Sequence, residues 1–292
     1  MLLVQLMLFK DVRDYQILFL SSFLILGIST KDWTLKPELI IVLLLTCLIS
    51  QWFNEELKTY LSTKKLSLSN PLKLSSLRSA IITALGLSLL LRADSYLTMV
   101  LAGFLAISSK FIFKANDKHF FNPANFGIIS VLTLTSDAWV SPGQWGDDWW
   151  YALLFFGTGG IILKQVGRWD TSVVFLGTYA GLEAVRNIWL GWTSDVFLHR
   201  LMSGSLLLFA LFMLTDPRSI PNTKSGRYIW VVCIAGLTFI LRNQFFLPTA
   251  IFWALFALAP LTVILDIIWT APRFTWLQAN DSSLLTVKTN VL

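Results

Sequence analysis

The sequence predicts an all-α integral membrane protein of about ten transmembrane helices, with no soluble domain of its own. Three observations carry that prediction. The first is composition: 55% of the 292 residues are hydrophobic, 14% are charged, and the mean hydropathy is +0.66. Soluble domains carry roughly 25% charge, and so small a polar fraction could not cover the outside of a soluble fold. The second is that the apolar residues gather into runs separated by short polar loops. The third is the distribution of basic residues, which alternates from loop to loop. The 13 tryptophans and 22 phenylalanines suit a bilayer, where aromatic rings collect at headgroup level.

Ten apolar runs follow in order: 15–30, 37–53, 77–91, 96–113, 122–139, 149–166, 171–190, 201–215, 228–241 and 247–269. Several fall short of the roughly 20 residues that a straight span needs. Short spans are tolerated where their ends are packed in the bundle or break off part-way through the membrane.

The loops fix the expected sidedness. With the N-terminus in the cytoplasm, 17 of the 23 basic residues fall on the inner side; the outer segments hold only Lys31, Lys36, Arg92, Arg186, Arg200 and Arg242. That is the positive-inside pattern, and adding or deleting one helix would scramble it. Both termini are therefore expected inside, in a bacterial inner membrane. The net charge of +6 then reports topology and not nucleic-acid binding. No cleavable signal peptide is expected, because Asp11, Arg13 and Asp14 interrupt the N-terminal region.

A single polytopic domain covers 1–292, with half-repeats at about 11–140 and 149–269 and a polar tail at 274–292. The loop from Asp137 to Asp148 is acidic, without Lys or Arg, and leaves five runs on either side. An odd number per half starts the halves on opposite faces, as inverted repeats require, although no sequence identity between the halves is evident.

Several chemistries are excluded. No phosphate loop, dinucleotide fingerprint or C-x-x-C is present. Cys47 and Cys233 lie inside apolar runs and read as small buried hydrophobes. His119 and His199 fall on opposite faces, so they cannot share a haem or metal, and no metal site is expected.

Two polar segments stand out. N-P-A-N-F-G at 122–127 follows Lys118 and His119 and opens the fifth run. Asn122 before Pro123 is a favourable N-cap. Asn125 projects to the same side three residues on, and with Gly127 allowing close approach the amide pair suits a polar ligand. The second segment, F-M-L-T-D-P-R-S-I-P at 212–221, closes the eighth run with Thr215 and Asp216 before two helix-ending prolines. Asp216 at a helix C-terminus opposes the helix dipole, so it needs a partner; Arg218 is the nearest candidate, and a local Asp–Arg turn lock is the plainer reading. Among the other ionisable residues, Arg92 and Lys110 are expected to snorkel, Glu183 and Arg186 to pair on one helix face, and Asp266 to stand without a local partner.

These two segments resemble RnfD, a membrane component of the bacterial Rnf electron-transport complex, and its homologue in the sodium-pumping NADH:quinone reductase. Thr215, Asp216, Pro217, Pro221, Lys224, Gly226 and Arg227 stand where that family has its T-D-P, second proline and basic turn. Asp11-Val-Arg-Asp-Tyr15 resembles its lead into the first helix, and the likeness runs from about Asp11 to Trp269. The resemblance implies a membrane electron-transfer subunit of two inverted five-helix halves that binds flavin. It also implies an S/T-G-A-T flavinylation motif between the fifth and sixth runs. This chain has Ser141-Pro142-Gly143-Gln144 there, so covalent FMN is not expected. What remains is a non-covalent FMN or riboflavin, or a quinone, held by Asn122, Asn125, Gly127, Thr215 and Asp216. Isoalloxazine presents alternating N–H and C=O groups that amides recognise. The expected partners are the bilayer and other membrane, flavin or iron–sulfur electron-transfer subunits, with electron transfer coupled to ion movement. The alternative is a non-redox transporter or assembly scaffold on the same fold, since fold does not fix function.

Overall fold

Every one of the ten apolar runs contains a helix. The computed structural model describes residues 9, 11–31, 33, 36–64, 73–141, 144–146 and 149–276. Lys10, Lys65, Lys288, Pro142, Gly143, Asp147, Asp148 and most of the polar tail lie outside the described residues. The first group of helices is α1 (Val12–Thr30), α2 (Pro37–Thr63), α3 (Leu74–Leu90), α4 (Tyr96–Ile112) and α5 (Pro123–Leu134). The second comprises α6 (Trp149–Val166), α7 (Trp169–Trp189), α8 (Ser194–Leu201), α9 (Gly204–Leu208), a π-helical turn (Phe209–Met213), α10 (Lys224–Asn243), α11 (Ala250–Leu258) and α12 (Leu261–Ile268).

The helix starts follow local chemistry. Asp11 caps α1 by accepting from the Arg13 N–H, Ser95 caps α4, and Thr223 caps α10. Pro37 and Pro123 occupy first-turn positions of α2 and α5, where a missing N–H costs nothing. The eighth and tenth runs are broken. Ser194–Leu201 meets Gly204–Met213 at 47°, and Ala250–Leu258 meets Leu261–Ile268 at 45° across Pro260. Pro260 removes an N–H from the helix ladder, which accounts for the second break. The fifth run ends early, at Leu134, because 138–140 leaves the helix as a strand.

Two small antiparallel sheets mark opposite ends of the bundle. At one end β1 (Leu91–Ala93) pairs with β4 (Ala138–Val140), Arg92 opposite Trp139. At the other, β2 (Lys114–Ala115) and β3 (Lys118–His119) form the hairpin between α4 and α5. The turn at Asn116 and Asp117 takes positive φ, 50° and 60°, which these side chains tolerate better than most. Arg13 lies 4.9 Å from the centroid of the Trp276 ring, so the first and last described segments meet at the hairpin end.

Large apolar side chains face outward along the helices: Leu97 is 75% exposed, Ile188 79% and Trp189 86%. A soluble monomer does not carry so continuous an apolar exterior. Val12–Thr30, Pro37–Thr63 and Lys224–Asn243 are each long and apolar enough to cross a membrane, and each bent pair would add another span. The chain is a multi-pass, all-α membrane protein.

Inside, Phe23 of α1 joins the two groups by edge contacts with Phe155 and Phe212, and Phe121 stacks on Phe256 at 5.1 Å. Trp145 fills the end opposite the hairpin, against Trp33, Tyr151 and Phe155. A side chain at Gly204 would strike that indole at 2.5 Å.

Several charged residues find partners other than those expected. Glu183 pairs with Arg200 at 3.0 Å and accepts from Tyr179 and Asn243, while Arg186 lies over Trp192. The tertiary approach of α8 and α10 outcompetes the local i,i+3 pair. Asp266 is not alone: Lys118 Nζ donates to it at 2.6 Å and the Asn222 N–H at 2.8 Å. Arg92 and Lys110 do not snorkel. Both are buried; Arg92 bonds the Ser88 and Leu91 carbonyls and Gln144. Cys47 is buried as expected, but Cys233 is exposed, on the face of α10 away from its packed stripe.

Candidate functional site

A cleft opens between the two helix groups at the hairpin end. Its empty space, counting the mouth, is about 1040 Å³, comparable with small-molecule sites of roughly 300–1,000 Å³. Leu20, Ile82, Leu163, Leu211 and Phe212 supply apolar wall. The polar groups sit along one edge: His119, Asn122, Thr215 and Asp216.

That edge is assembled by the N-terminus of α5 and the end of the π turn. Asn122 Oδ1 accepts the Asn125 N–H at 3.0 Å, and its Nδ2 donates to the Met213 carbonyl at 3.1 Å. The cap is thus also a tie between the helix groups. In the π turn the Leu214 N–H reaches back five residues to the Phe209 carbonyl, and π bulges of this kind are frequent at functional sites. Thr215 Oγ1 donates to the Leu211 carbonyl, which fixes its hydroxyl beside the cleft.

Asp216 is held from two sides. Its Oδ1 accepts the Arg218 N–H at 3.1 Å, and its Oδ2 lies 3.7 Å from His119 Nε2. The ionic partner is therefore His119 from the hairpin, and Arg218 contributes through its backbone. Burial raises the Asp216 carboxyl, but the His119 hydrogen bond and charge and the Arg218 N–H outweigh it and hold the group below 3.8. Burial also pushes the His119 imidazole below 6.5, against the opposing pull of Asp216. At neutral pH the pair is a carboxylate beside an uncharged ring.

Three of the five candidate residues, Asn122, Thr215 and Asp216, line the cleft. Asn125 and Gly127 do not. Asn125 Nδ2 donates to the Phe252 carbonyl of α11 at 3.1 Å, and its Oδ1 is buried without a hydrogen-bond partner. A Cβ on Gly127 would come within 2.7 Å of the Ala102 carbonyl, so the close approach it permits is that of α4. Both ends of the Asn122 amide are engaged in the fold, which leaves His119, Thr215 and Asp216 as polar groups facing a ligand. His119 is the residue whose role the sequence hides. Its only signal is its place directly before the 122–127 segment.

Apolar walls with a short polar edge fit a flat ring system of the flavin or quinone kind. The fold and this cleft define a polytopic helical membrane protein with a ligand-sized opening between two helix groups. Residues 136–274, a little under half of the chain, match the model of the NQR2, RnfD, RnfE family, and over that stretch the chain is related to it. The match takes in the 212–221 segment and begins beyond the 122–127 segment. Three relatives each carry the name of the RnfD-type component, lettered D, of an ion-translocating oxidoreductase complex. The Vibrio atlanticus protein is 33% identical over 131 residues, 44% of this chain and 37% of the relative. The Vibrio vulnificus protein is 34% identical over 126 residues, 42% and 35%; that of Stutzerimonas stutzeri is 29% identical over 136, 47% and 38%. The matched region thus spans little more than a third of each relative's length.

Proposed function

We propose that this chain is the membrane subunit of an ion-translocating oxidoreductase of the bacterial inner membrane and holds a flavin or quinone non-covalently in the cleft. The observation that carries this reading is the apolar cleft edged by His119, Thr215 and Asp216, in a chain whose second half is related to the NQR2, RnfD, RnfE family.

The packing of the helices supports two inverted five-helix halves. In the first, α1 packs on α3, α2 on α4 and α4 on α5. In the second, α6 packs on α9 and the π turn, α7 on α10 and α10 on α11. Across the halves, α1 meets α6 and α5 meets α11, which joins like positions to like, as a two-fold relation requires. The 17 basic residues on alternate loops favour a cytoplasmic hairpin end and cytoplasmic termini.

A bound flavin or quinone supplies the electron-carrying chemistry. The protein positions it and manages its protons. Leu20, Leu211 and Phe212 exclude water from the ring. Neutral His119 offers a proton acceptor or donor at Nε2, and the Asp216 carboxylate stabilises its protonated form. Other flavin or iron–sulfur subunits would deliver or remove the electrons, and the cleft's place between the halves gives redox state a lever on ion movement.

The test is direct. The protein, purified in mild detergent, is expected to retain or rebind a chromophore absorbing between roughly 350 and 500 nm or an extractable quinone. A well-folded sample that neither retains nor rebinds either would sink the reading.

A further inference from the structure

Beside the cleft, at the same end, lies a second and more polar chamber of about 1620 Å³ counting its mouth. Arg13, Ser79, His119, Arg218 and Trp276 line both spaces, so the two adjoin. Lys58, Lys73, Lys110, Lys114 and Arg218 line the chamber. Basic loops alone are what membrane topology predicts, but Lys110 is not a loop residue. It sits in the last turn of α4 and is 7% exposed. Its Nζ bonds two neutral oxygens, Gln51 Oε1 at 3.3 Å and Ser79 Oγ at 3.1 Å. A buried ammonium without a bonded counter-ion is costly, and an anion in the chamber would offset that cost.

A second feature points the same way. Helix α3 begins in the chamber wall: its N-cap, Lys73, makes no side-chain capping bond, and Ser75, Ser76 and Ser79 of its first turns line the space. The start of a 17-residue helix presents free N–H groups and the positive end of its dipole. Two acids also line the chamber. Glu55 accepts from Gln51 at 2.8 Å, and Glu56 keeps one buried oxygen without a hydrogen-bond partner. The cations outnumber them.

We propose that this chamber is a phosphate site, and that the ligand is a single ring compound whose phosphate monoester tail lies here while its ring lies in the cleft. Ser79, which lines both spaces and bonds Lys110, marks the junction. The ligand class is then a flavin mononucleotide, not neutral riboflavin or a quinone. This rests on the cleft being a ring site.

The test titrates the full chain in detergent with FMN and with riboflavin, read by quenching of flavin fluorescence, and with inorganic phosphate by calorimetry. FMN is expected to bind at least about tenfold more tightly than riboflavin, through charge-assisted phosphate contacts, and inorganic phosphate to compete with FMN alone. Lys110→Met is expected to bring FMN down to the riboflavin level without altering riboflavin binding. Lys73→Gln, at an exposed position, is expected to act in the same direction and covers the case in which Lys110→Met does not fold. Equal affinity for the two flavins overturns the phosphate site and leaves the ring reading standing. Phosphate binding that Lys73→Gln weakens, with neither flavin bound, supports the phosphate site and overturns the ring reading. Displacement of FMN by phosphatidylglycerol micelles but not by inorganic phosphate overturns the proposal in favour of a lipid headgroup.

Discussion

His119 Nε2 lies 3.7 Å from Asp216 Oδ2, which joins the hairpin after α4 to the turn that follows the π segment. The pair makes stability depend on pH with a definite sign. The His119 imidazole is held below its ordinary 6.5, so the unfolded chain binds this proton more readily than the folded one. Stability therefore falls as pH drops below about 6.5 toward the folded value. The Asp216 carboxyl, held below 3.8, contributes stability above that value and loses it only as pH falls further. Thermal unfolding in detergent at about pH 7.5 and 5.5 is expected to show the His119 decline, flattened in His119→Gln. An unchanged slope in that variant would place the titrating group elsewhere.

Asn122 does two jobs, capping α5 and tying it to Met213. Asn122→Ala is expected to cost about 1–3 kcal/mol, the sum of a lost cap and an unpaired buried carbonyl. Asn122→Ser keeps the cap and loses the tie, and should fall between. Denaturant or thermal melts read both.

Gly127 is a contact residue of α4 and α5. Gly127→Ala would place a methyl 2.7 Å from the Ala102 carbonyl, and separating the two helices is expected to cost about 1–3 kcal/mol. Ligand binding at the cleft should change less than stability, because Gly127 does not line it.

Lys118 gathers three acceptors: the Ile220 carbonyl, Asn222 Oδ1 and Asp266. Lys118→Met leaves Asp266 without its counter-ion and is expected to cost about 2–3 kcal/mol. Adding Asp266→Asn should recover part of that loss. If it recovers none, the carbonyl bond to Ile220 carries the effect.

The helices are legible in the sequence because lipid exposure writes itself into continuous apolar runs, and each of the ten contains a helix. What escapes are the breaks and the long-range pairs. The run at 201–215 gives no sign that Phe209–Met213 winds as a π turn, since the residues that favour it are the Asn122 amide and the turn at Asp216, far off in sequence or beyond the run. Asp266 reads as unpartnered because Lys118 lies 148 residues away. Glu183 reads as paired with Arg186 because helical spacing is visible and the arrival of Arg200 is not. Of the site, Asp216 and Thr215 are visible as polar residues where a helix stops. The same logic misjudges Asn125: an amide inside a helix start suits a ligand, but here it bonds Phe252 of another helix.

The clasp between Arg13 and Trp276 has a consequence in time. Arg13 is among the first residues to leave the ribosome, and Trp276 is made only after every helix described above. Both line the cleft and the chamber, so neither space has its last wall until synthesis is nearly over. A stalled or clipped chain ending before residue 276 presents an open, basic groove at that end, a mark by which membrane proteases can tell an unfinished chain from a finished one.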